Sequence, residues 1–83
     1  MKVHLRYFAS IREALGTGSE SVDTQAGTLA ALRAELVARG GGYADALAPG
    51  RSVRVALNQT MSDEAASLTE GAEVGFFPPV TGG

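Results

Sequence analysis

The sequence has no cysteine and a single histidine, and these shortages exclude several kinds of protein. Without cysteine there is neither a disulfide framework nor a thiolate metal site. A zinc or iron centre would have to be built from carboxylates, and the acidic residues are scattered through predicted loops. We therefore expect no metal centre, and the hydrophobic core must hold the fold together by itself.

The sequence also lacks a long apolar run and a marked excess of charge of one sign. Polar residues interrupt the apolar ones from Lys2 to Arg6, so no signal peptide is predicted, and no stretch is long enough to span a membrane. The formal net charge of -2 combines both signs and gives no electrostatic footprint for nucleic acid or an anionic membrane. We expect a cytoplasmic protein whose partners are proteins or small molecules.

Alternation of apolar and polar residues predicts the first and third strands, and the short connection after the first strand favours a hairpin partner for it. Val3, Leu5 and Tyr7 are separated by polar residues, the period of a strand with one buried face. Residues 58–60 have the composition of a turn that leads away from the third strand. The predicted strands cover residues 2–8, 18–23, 52–57 and 73–77.

Two helices are expected between the strands. Ser10 and Glu13 fit a capping box that would begin a short helix, and Gly16 can supply its left-handed end. Thr28 is a good N-cap for the main helix, whose apolar residues recur at helical spacing as far as Val37. The main helix is therefore expected to turn one apolar stripe towards the sheet.

Charges and glycines mark the end of the main helix. Glu35 precedes Arg39 by four residues, a spacing that favours an ion pair on one helix face. The glycines at 40–42 end the helix, and a further turn is expected over residues 43–47. The arginines that we expect to be solvated surface charges, available to complement a partner, are Arg12, Arg33, Arg39, Arg51 and Arg54.

The predicted order of elements is strand, strand, helix, strand, strand, without internal repeats. This order indicates an α+β fold in which a mixed sheet carries one main helix on one face. The two prolines after the last strand have no amide hydrogen and cannot continue the ladder. We therefore divide the chain into a folded domain over residues 1–77 and a flexible, extended C-terminal tail over residues 78–83.

The tail has the composition of an arm that enters a narrow space. Pro78 and Pro79 hold the backbone near the extended polyproline conformation, which lowers the entropy lost on docking. Gly82 and Gly83 have no β-carbon and are thinner than any other pair of residues. From Phe77 an extended chain at about 3.3 Å per residue reaches about 20 Å, which would deliver the terminal carboxyl deep into another protein.

A C-terminal glycine carboxylate is a stable anion that needs activation before it reacts. An acyl adenylate made from ATP would present the unhindered carbonyl of Gly83 to a nucleophile. Attack by sulfur would leave a thiocarboxylate, which is nucleophilic and can be handed to a substrate in a partner's active site. A thiol in the same chain would compete for that carbonyl, which gives the missing cysteines a second meaning.

The segment from Phe76 to Gly83 reads FFPPVTGG and resembles the ending of the small subunits of molybdopterin synthase. Other stretches that resemble this family are Tyr7 to Glu13, Thr28 to Arg33, Ala56 to Thr60 and Leu68 to Val74. Together these stretches cover nearly the whole chain. The most visible departure is Gly75, because glycine weakens the interior of a strand.

The resemblance implies a ubiquitin-like β-grasp fold whose first and last strands form a parallel central pair. It also implies a sulfur-transfer cycle in molybdenum cofactor biosynthesis. A ubiquitin-activating-like adenylyltransferase would use ATP to adenylate Gly83, and a sulfurtransferase would convert it to the thiocarboxylate. The large synthase subunit would then pass the sulfur to cyclic pyranopterin monophosphate to form the dithiolene.

In this scheme the chain is a sulfur carrier and not an enzyme by itself. No cofactor would be bound stably, catalytic groups would belong to the large subunit, and the synthase would be a heterotetramer of two small and two large subunits. Gly83 is the predicted reactive residue. The residues predicted to contact partners are Phe76, Phe77, Pro78, Pro79, Val80, Thr81 and Gly82. Adjacent strand residues face opposite sides, so one of the two phenylalanines should lie in the core.

Two other classes of function stay open on the sequence. The same terminal chemistry would serve a sulfur carrier for thiazole, cysteine or tRNA thiolation, or a ubiquitin-like modifier joined to lysines. A noncovalent β-grasp interaction module would not use the terminus at all, and its tail would be dispensable. The double-proline ending favours the molybdopterin pathway over the other sulfur acceptors and the modifiers.

Overall fold

The computed structural model describes residues 1–79, which form a five-stranded sheet with helices packed on one face. In chain order the elements are β1 (Lys2–Tyr7), α1 (Ala9–Leu15), β2 (Ser19–Asp23), α2 (Leu29–Val37), α3 (Gly41–Leu47), β3 (Arg54–Leu57), β4 (Thr60–Ser62) and β5 (Glu73–Phe77). No helix within residues 1–79 has the length and apolar character needed to cross a membrane.

The strands lie in the order β2-β1-β5-β3-β4, with β5 at the centre. β1 and β5 are parallel, with Leu5 opposite Val74 and Tyr7 opposite Phe76. The other neighbouring strands are antiparallel. The expected parallel pairing of the first and last strands is confirmed, and the arrangement is that of a β-grasp sheet.

The core lies between the sheet and the helices. Val3, Leu5 and Tyr7 point into it from β1 and are at most 2% exposed. They meet apolar side chains of α2, and each leucine buried there stabilises the fold by about 1.5–3 kcal/mol. These side chains are Leu29, Leu32 and Leu36. The polar residues of β1 lie on the opposite side of the sheet, which we call the outer face.

A short strand that the sequence did not predict completes the sheet. Asn58 and Gln59 have φ angles of 51° and 70°, in the left-handed region that tight two-residue hairpin turns use. The chain therefore reverses at once, and β4 pairs with β3 so that Met61 lies opposite Ala56. The predicted turn is confirmed. The sequence predicted no strand directly after this turn, and that prediction was wrong.

The start of α1 also differs from the prediction. The helix begins directly after Phe8, which makes no side-chain capping bond, so the predicted capping box of Ser10 and Glu13 is wrong. Sheet pairing fixes the entry instead, because the amide of Phe8 donates to the carbonyl oxygen of Phe76 at 3.2 Å. The predicted left-handed end at Gly16 is confirmed, with a φ of 74°.

The main helix begins as predicted, but its charged residues bind elsewhere. The hydroxyl of Thr28 accepts a hydrogen bond of 3.2 Å from an amide of the first turn. Arg39 lies beyond the helix end and forms an ion pair with Glu20 at 3.1 Å, while Glu35 accepts a hydrogen bond from Thr24. The predicted pair of Glu35 with Arg39 is therefore wrong.

The glycines that follow α2 begin a further helix rather than only ending one. Gly40 and Gly41 have φ angles of 76° and 56°, which turn the chain directly into α3. A β-carbon at Gly42 would lie 2.5 Å from the carbonyl oxygen of Ala14, so only glycine permits this close approach of α3 to α1. The single turn expected over residues 43–47 is thus part of a full helix.

Arg33 is buried, and the prediction that it is a solvated surface charge is wrong. Its guanidinium donates hydrogen bonds of 2.7, 2.7 and 2.8 Å to the carbonyl oxygens of Leu47, Ala48 and Arg51. It also forms an ion pair of 2.8 Å with Glu64. These bonds tie α2 to the loop between α3 and β3.

Candidate functional site

The tail is attached to the central strand of the sheet. β5 ends at Phe77, and the two prolines that follow have no amide hydrogen with which to continue the ladder. Pro78 is half-buried and Pro79 is exposed, so the chain reaches the surface within two residues of the strand. The predicted tail thus begins where the sheet ends.

The predicted reactive residue, Gly83, lies outside the described residues. The same holds for Val80, Thr81 and Gly82, which the sequence assigned to partner contact. The roles of these residues stay predictions. The structure describes only the first two residues of the tail, Pro78 and Pro79, which we call the root of the tail, and the surface around them.

Phe76 and Phe77 face opposite sides of the sheet, as predicted. Phe76 has 0% of its surface exposed and stacks on Tyr7, with ring centroids 5.9 Å apart. Phe77 is half-buried on the outer face and stacks on Phe8, with centroids 4.3 Å apart. Phe76 is therefore a core residue, and its predicted role in partner contact is wrong. Phe77 remains a predicted partner contact.

An aromatic surface surrounds the root of the tail on the outer face. We call it the outer-face patch and define it by Phe8, Met61, Phe77 and Pro78, which line one shallow concavity together with Ala9, Arg54 and Pro79. Met61 is 51% exposed, an unusual state for a large apolar side chain. Partly exposed apolar residues that form one contiguous surface are typical of a protein interaction site.

Gly75 lies beneath the two stacked rings. A β-carbon at this position would be 3.1 Å from Cε2 of Phe77 and 3.4 Å from Cε2 of Phe8. The first distance is shorter than an ordinary carbon contact, so an added side chain would push the Phe77 ring outwards. The glycine that looked like a weakness in the strand therefore gives the aromatic pair room to lie flat on the sheet.

Two arginines border the outer-face patch. The guanidinium carbon of Arg6 lies 5.8 Å from the centroid of the Phe8 ring, within the range of a cation–π contact. Arg54 lies opposite Phe77 in the ladder between β3 and β5. Both arginines are exposed, and together with the rings they give the patch an apolar centre and a positive border.

A polar cluster lies on the side of the sheet opposite the outer-face patch. The carboxylate of Glu20 accepts hydrogen bonds from the hydroxyls of Tyr7 and Tyr43 and pairs with the guanidinium of Arg39. The Arg39 guanidinium carbon also lies 5.0 Å from the Tyr43 ring centroid. Since Tyr7 stacks on Phe76, the cluster braces the strand that carries the tail.

The hydrogen bonds of this cluster set the charge states of its members. Partial burial by itself would raise the pKa of Glu20, but the bonds from Tyr43, Tyr7 and Arg39 outweigh it and lower the pKa below its ordinary value. Burial, followed by the bond to Glu20, raises the pKa of Tyr7 far above its ordinary value. Glu20 is therefore charged and Tyr7 neutral at physiological pH.

Sequence reasoning did not assign Phe8 or Met61 to the site. Phe8 carried a usable signal in the sequence. It continues the series of alternate positions that β1 turns to the outer face, and it is apolar where the other members of that series are polar. Met61 carried none, since its orientation depends on β4, which was not predicted. Only the folded chain brings both side chains to the root of the tail.

A β-grasp sheet whose central strand is followed by a segment that reaches the surface at Pro78 and Pro79, with a partly exposed aromatic surface beside it, defines a ubiquitin-like protein. Comparison with known proteins specifies the class further. The chain belongs to the ThiS family, whose model matches residues 5–83.

Relatives of known name cover nearly the whole chain. It is 41% identical over 81 residues to the molybdopterin synthase sulfur carrier subunit of Escherichia coli (strain K12), with 98% of this chain and 99% of that protein aligned. A chain of the complex of subunits 1 and 2 of molybdopterin-converting factor from Helicobacter pylori 26695 is 28% identical, with full coverage of both chains and a TM-score of 0.69. SAMP1 from Haloferax volcanii, 21% identical with full coverage of both chains and a TM-score of 0.79, shares the fold.

Proposed function

We propose that this protein is a sulfur carrier of molybdenum cofactor biosynthesis and acts as the small subunit of molybdopterin synthase. The observation that carries the proposal is the FFPPVTGG sequence, whose two phenylalanines end the central strand of a ubiquitin-like fold and whose two prolines lie beside a partly exposed aromatic patch. The near-full-length likeness to a molybdopterin synthase sulfur carrier subunit supports it.

The chemistry is assigned to the carboxyl group of Gly83. A ubiquitin-activating-like adenylyltransferase consumes ATP to form the acyl adenylate, and a sulfurtransferase supplies the sulfur that replaces the adenylate and leaves a thiocarboxylate. The terminal sulfur then attacks cyclic pyranopterin monophosphate, water hydrolyses the resulting thioester so that the sulfur stays on the pterin and the Gly83 carboxylate is regenerated, and two such transfers build the dithiolene. Gly82 and Gly83 suit this role because no β-carbon hinders the carbonyl or the passage of the tail.

The acid–base groups for the transfer are assigned to the large subunit, so this chain is a co-substrate rather than an enzyme. The complex of subunits 1 and 2 from Helicobacter pylori supports a large-subunit partner. We assign the docking surface to the outer-face patch, since aromatic and methionine side chains are favoured in the cores of interfaces. When the outer-face patch is docked, the tail would enter the partner at the border of the patch, where Pro78 and Pro79 lie.

Intact-mass spectrometry tests the loading step. The purified chain is incubated with its activating enzyme, ATP and a sulfur donor, and the expected product is heavier by the difference between one sulfur and one oxygen atom. A variant that lacks Gly83 is the matched control and should stay unloaded while its far-ultraviolet circular dichroism is unchanged. Active enzymes that leave the wild-type chain unloaded would contradict the proposal.

The acceptor is identified in a second step. The loaded chain is mixed with the large subunit and cyclic pyranopterin monophosphate, and the expected outcome is return of the carrier to its original mass together with sulfur in the pterin product. Loading without transfer to the pterin would instead place the chain in another sulfur pathway or among the protein modifiers. Full activity of a tailless chain would indicate a noncovalent module.

A further inference from the structure

Arg6 and Arg54 stand on opposite sides of the stacked rings in the outer-face patch. Arg6 belongs to β1 and its guanidinium lies beside the Phe8 ring. Arg54 belongs to β3 and faces Phe77 across the ladder. Because β5 lies between these two strands, the arginines border the same apolar surface from two directions.

Neither arginine has a carboxylate partner within residues 1–79. The ion pairs in that part of the chain involve Arg33 and Arg39 alone. Glu73 belongs to β5, between the strands of Arg6 and Arg54, but forms no ion pair there. The two guanidinium groups therefore keep their charge-assisted hydrogen-bonding capacity for another molecule.

This positive charge is local, because the chain as a whole carries a formal net charge of -2. A surface with an apolar centre and two guanidinium groups at its border is complementary to apolar side chains flanked by carboxylates. Arginine suits this role because its planar fork binds a carboxylate through two parallel hydrogen bonds. The stacking of Arg6 on Phe8 restricts its side chain before the partner arrives, so less entropy is lost on binding.

We propose that Arg6 and Arg54 are specificity-determining residues that bind carboxylates on the docking face of the large subunit. The inference rests on the proposed function, which supplies the identity of the partner. Charges at the border of an interface act mainly on the rate of encounter and on the choice of partner. The two arginines therefore speed up association and select a large subunit whose docking face is acidic around an apolar centre.

Binding kinetics with the purified large subunit of the same organism test the proposal. The variants are Arg6→Glu, Arg54→Glu and the double variant, measured by surface plasmon resonance at low and at high sodium chloride. Arg12→Glu is the matched control, because Arg12 is exposed on α1, outside the outer-face patch, and its replacement changes the net charge by the same amount. Urea unfolding of each variant checks that the fold is retained.

We expect each reversal at position 6 or 54 to weaken binding by about tenfold at low salt, mainly through slower association, because like charges now face each other. The wild-type association rate should fall as salt rises, whereas that of the double variant should rise, because salt screens the repulsion between like charges. Arg12→Glu should change affinity by less than about threefold, as expected for a screened charge outside the interface.

Equal binding of the wild type and both reversal variants would overturn the proposal, and so would an equal loss in Arg12→Glu. A wild-type chain that dimerises through the patch, with the same variants abolishing the dimer in sedimentation experiments, would also overturn it, because the occupant would be a second copy. The loading experiment separates this inference from the proposed function. If the wild-type chain and both variants are loaded with sulfur but bind the large subunit equally well, only the role of the arginines fails.

Discussion

The ring of Phe77 lies parallel to the ring of Phe8, with centroids 4.3 Å apart and an interplanar angle of 4°. These residues stand at the ends of β5 and β1, the two parallel strands, and parallel strands end at the same edge of a sheet. The edge at which the tail begins is therefore the edge at which the aromatic surface forms. A partner that binds the rings receives the tail in a fixed position.

Replacing Phe76 or Phe77 with alanine should separate folding from binding. Phe76→Ala removes a ring with no exposed surface and should lower the free energy of unfolding by about 3–5 kcal/mol. Phe77→Ala removes a half-buried ring and should cost about 1 kcal/mol of stability, while it weakens binding of the large subunit by more than about tenfold. Urea unfolding and calorimetric titration measure the two effects. If the ratio of lost binding affinity to lost stability were the same for Phe76→Ala and Phe77→Ala, this division would be contradicted.

Enlarging Gly75 should lift the aromatic pair from the sheet in proportion to the added volume. Gly75→Ala forces the Phe77 ring to move by a few tenths of an ångström and should weaken binding of the large subunit by less than about threefold. Gly75→Val adds a branched side chain and should weaken it by more than about tenfold. Ser21→Val, on the outer face away from the patch, is the control for added volume. Unchanged binding by Gly75→Val would show that a flat aromatic pair is not required.

β1 and β3 were predictable from the sequence because apolar and polar residues alternate along each of them, and β2 was expected from the short connection that follows β1. The parallel pairing of β1 with β5 depends on residues far apart in the chain and came from the family resemblance instead. β4 was missed because it has only three residues, and its existence depends on the left-handed backbone of Asn58 and Gln59. Turn geometry of this kind is not visible in residue hydropathy.

The reactive end of the site was predictable, whereas its supporting surface was not. The FFPPVTGG ending is contiguous, so the sequence alone suggests its chemistry. The outer-face patch combines Phe8, which directly follows β1, with Met61 of β4 and Phe77 of β5, and exists only after folding. The burial of Arg33 was missed for the same reason, because the carbonyl groups that bind it belong to the end of α3 and the loop that follows it.

Arg33→Ala should destabilise the protein without a direct effect on the patch. The substitution leaves the carbonyl oxygen of Leu47 without its side-chain donor, takes one of two donors from that of Ala48, which still accepts from the amide of Arg51, and removes the partner of Glu64. We expect a loss of about 2–4 kcal/mol in the free energy of unfolding, because buried acceptors lose charge-assisted hydrogen bonds. Arg12→Ala, at an exposed site, should change it by less than about 0.5 kcal/mol. A similarly small change in Arg33→Ala would mean that water replaces the guanidinium at no cost.

The cluster around Glu20 should make stability depend on pH in the acid range. The pKa of Glu20 is lower in the folded protein than its ordinary value, so the unfolded chain binds the proton first as the pH falls. The contribution of the charged carboxylate is therefore fully present above the ordinary pKa of a glutamate. It is lost as the pH falls through the lowered value of the folded state.

Glu20→Gln tests this dependence, because it keeps the shape of the side chain and removes the charge. At neutral pH the variant should be less stable than the wild type by about 1–2 kcal/mol, since bonds from Tyr7, Tyr43 and Arg39 lose their charged acceptor. The difference should shrink as the pH is lowered and vanish once Glu20 of the folded wild type is protonated. Thermal unfolding of both proteins from neutral to acid pH measures it. A difference that stays constant over this range would mean that Glu20 supports the fold by packing and not by its charge.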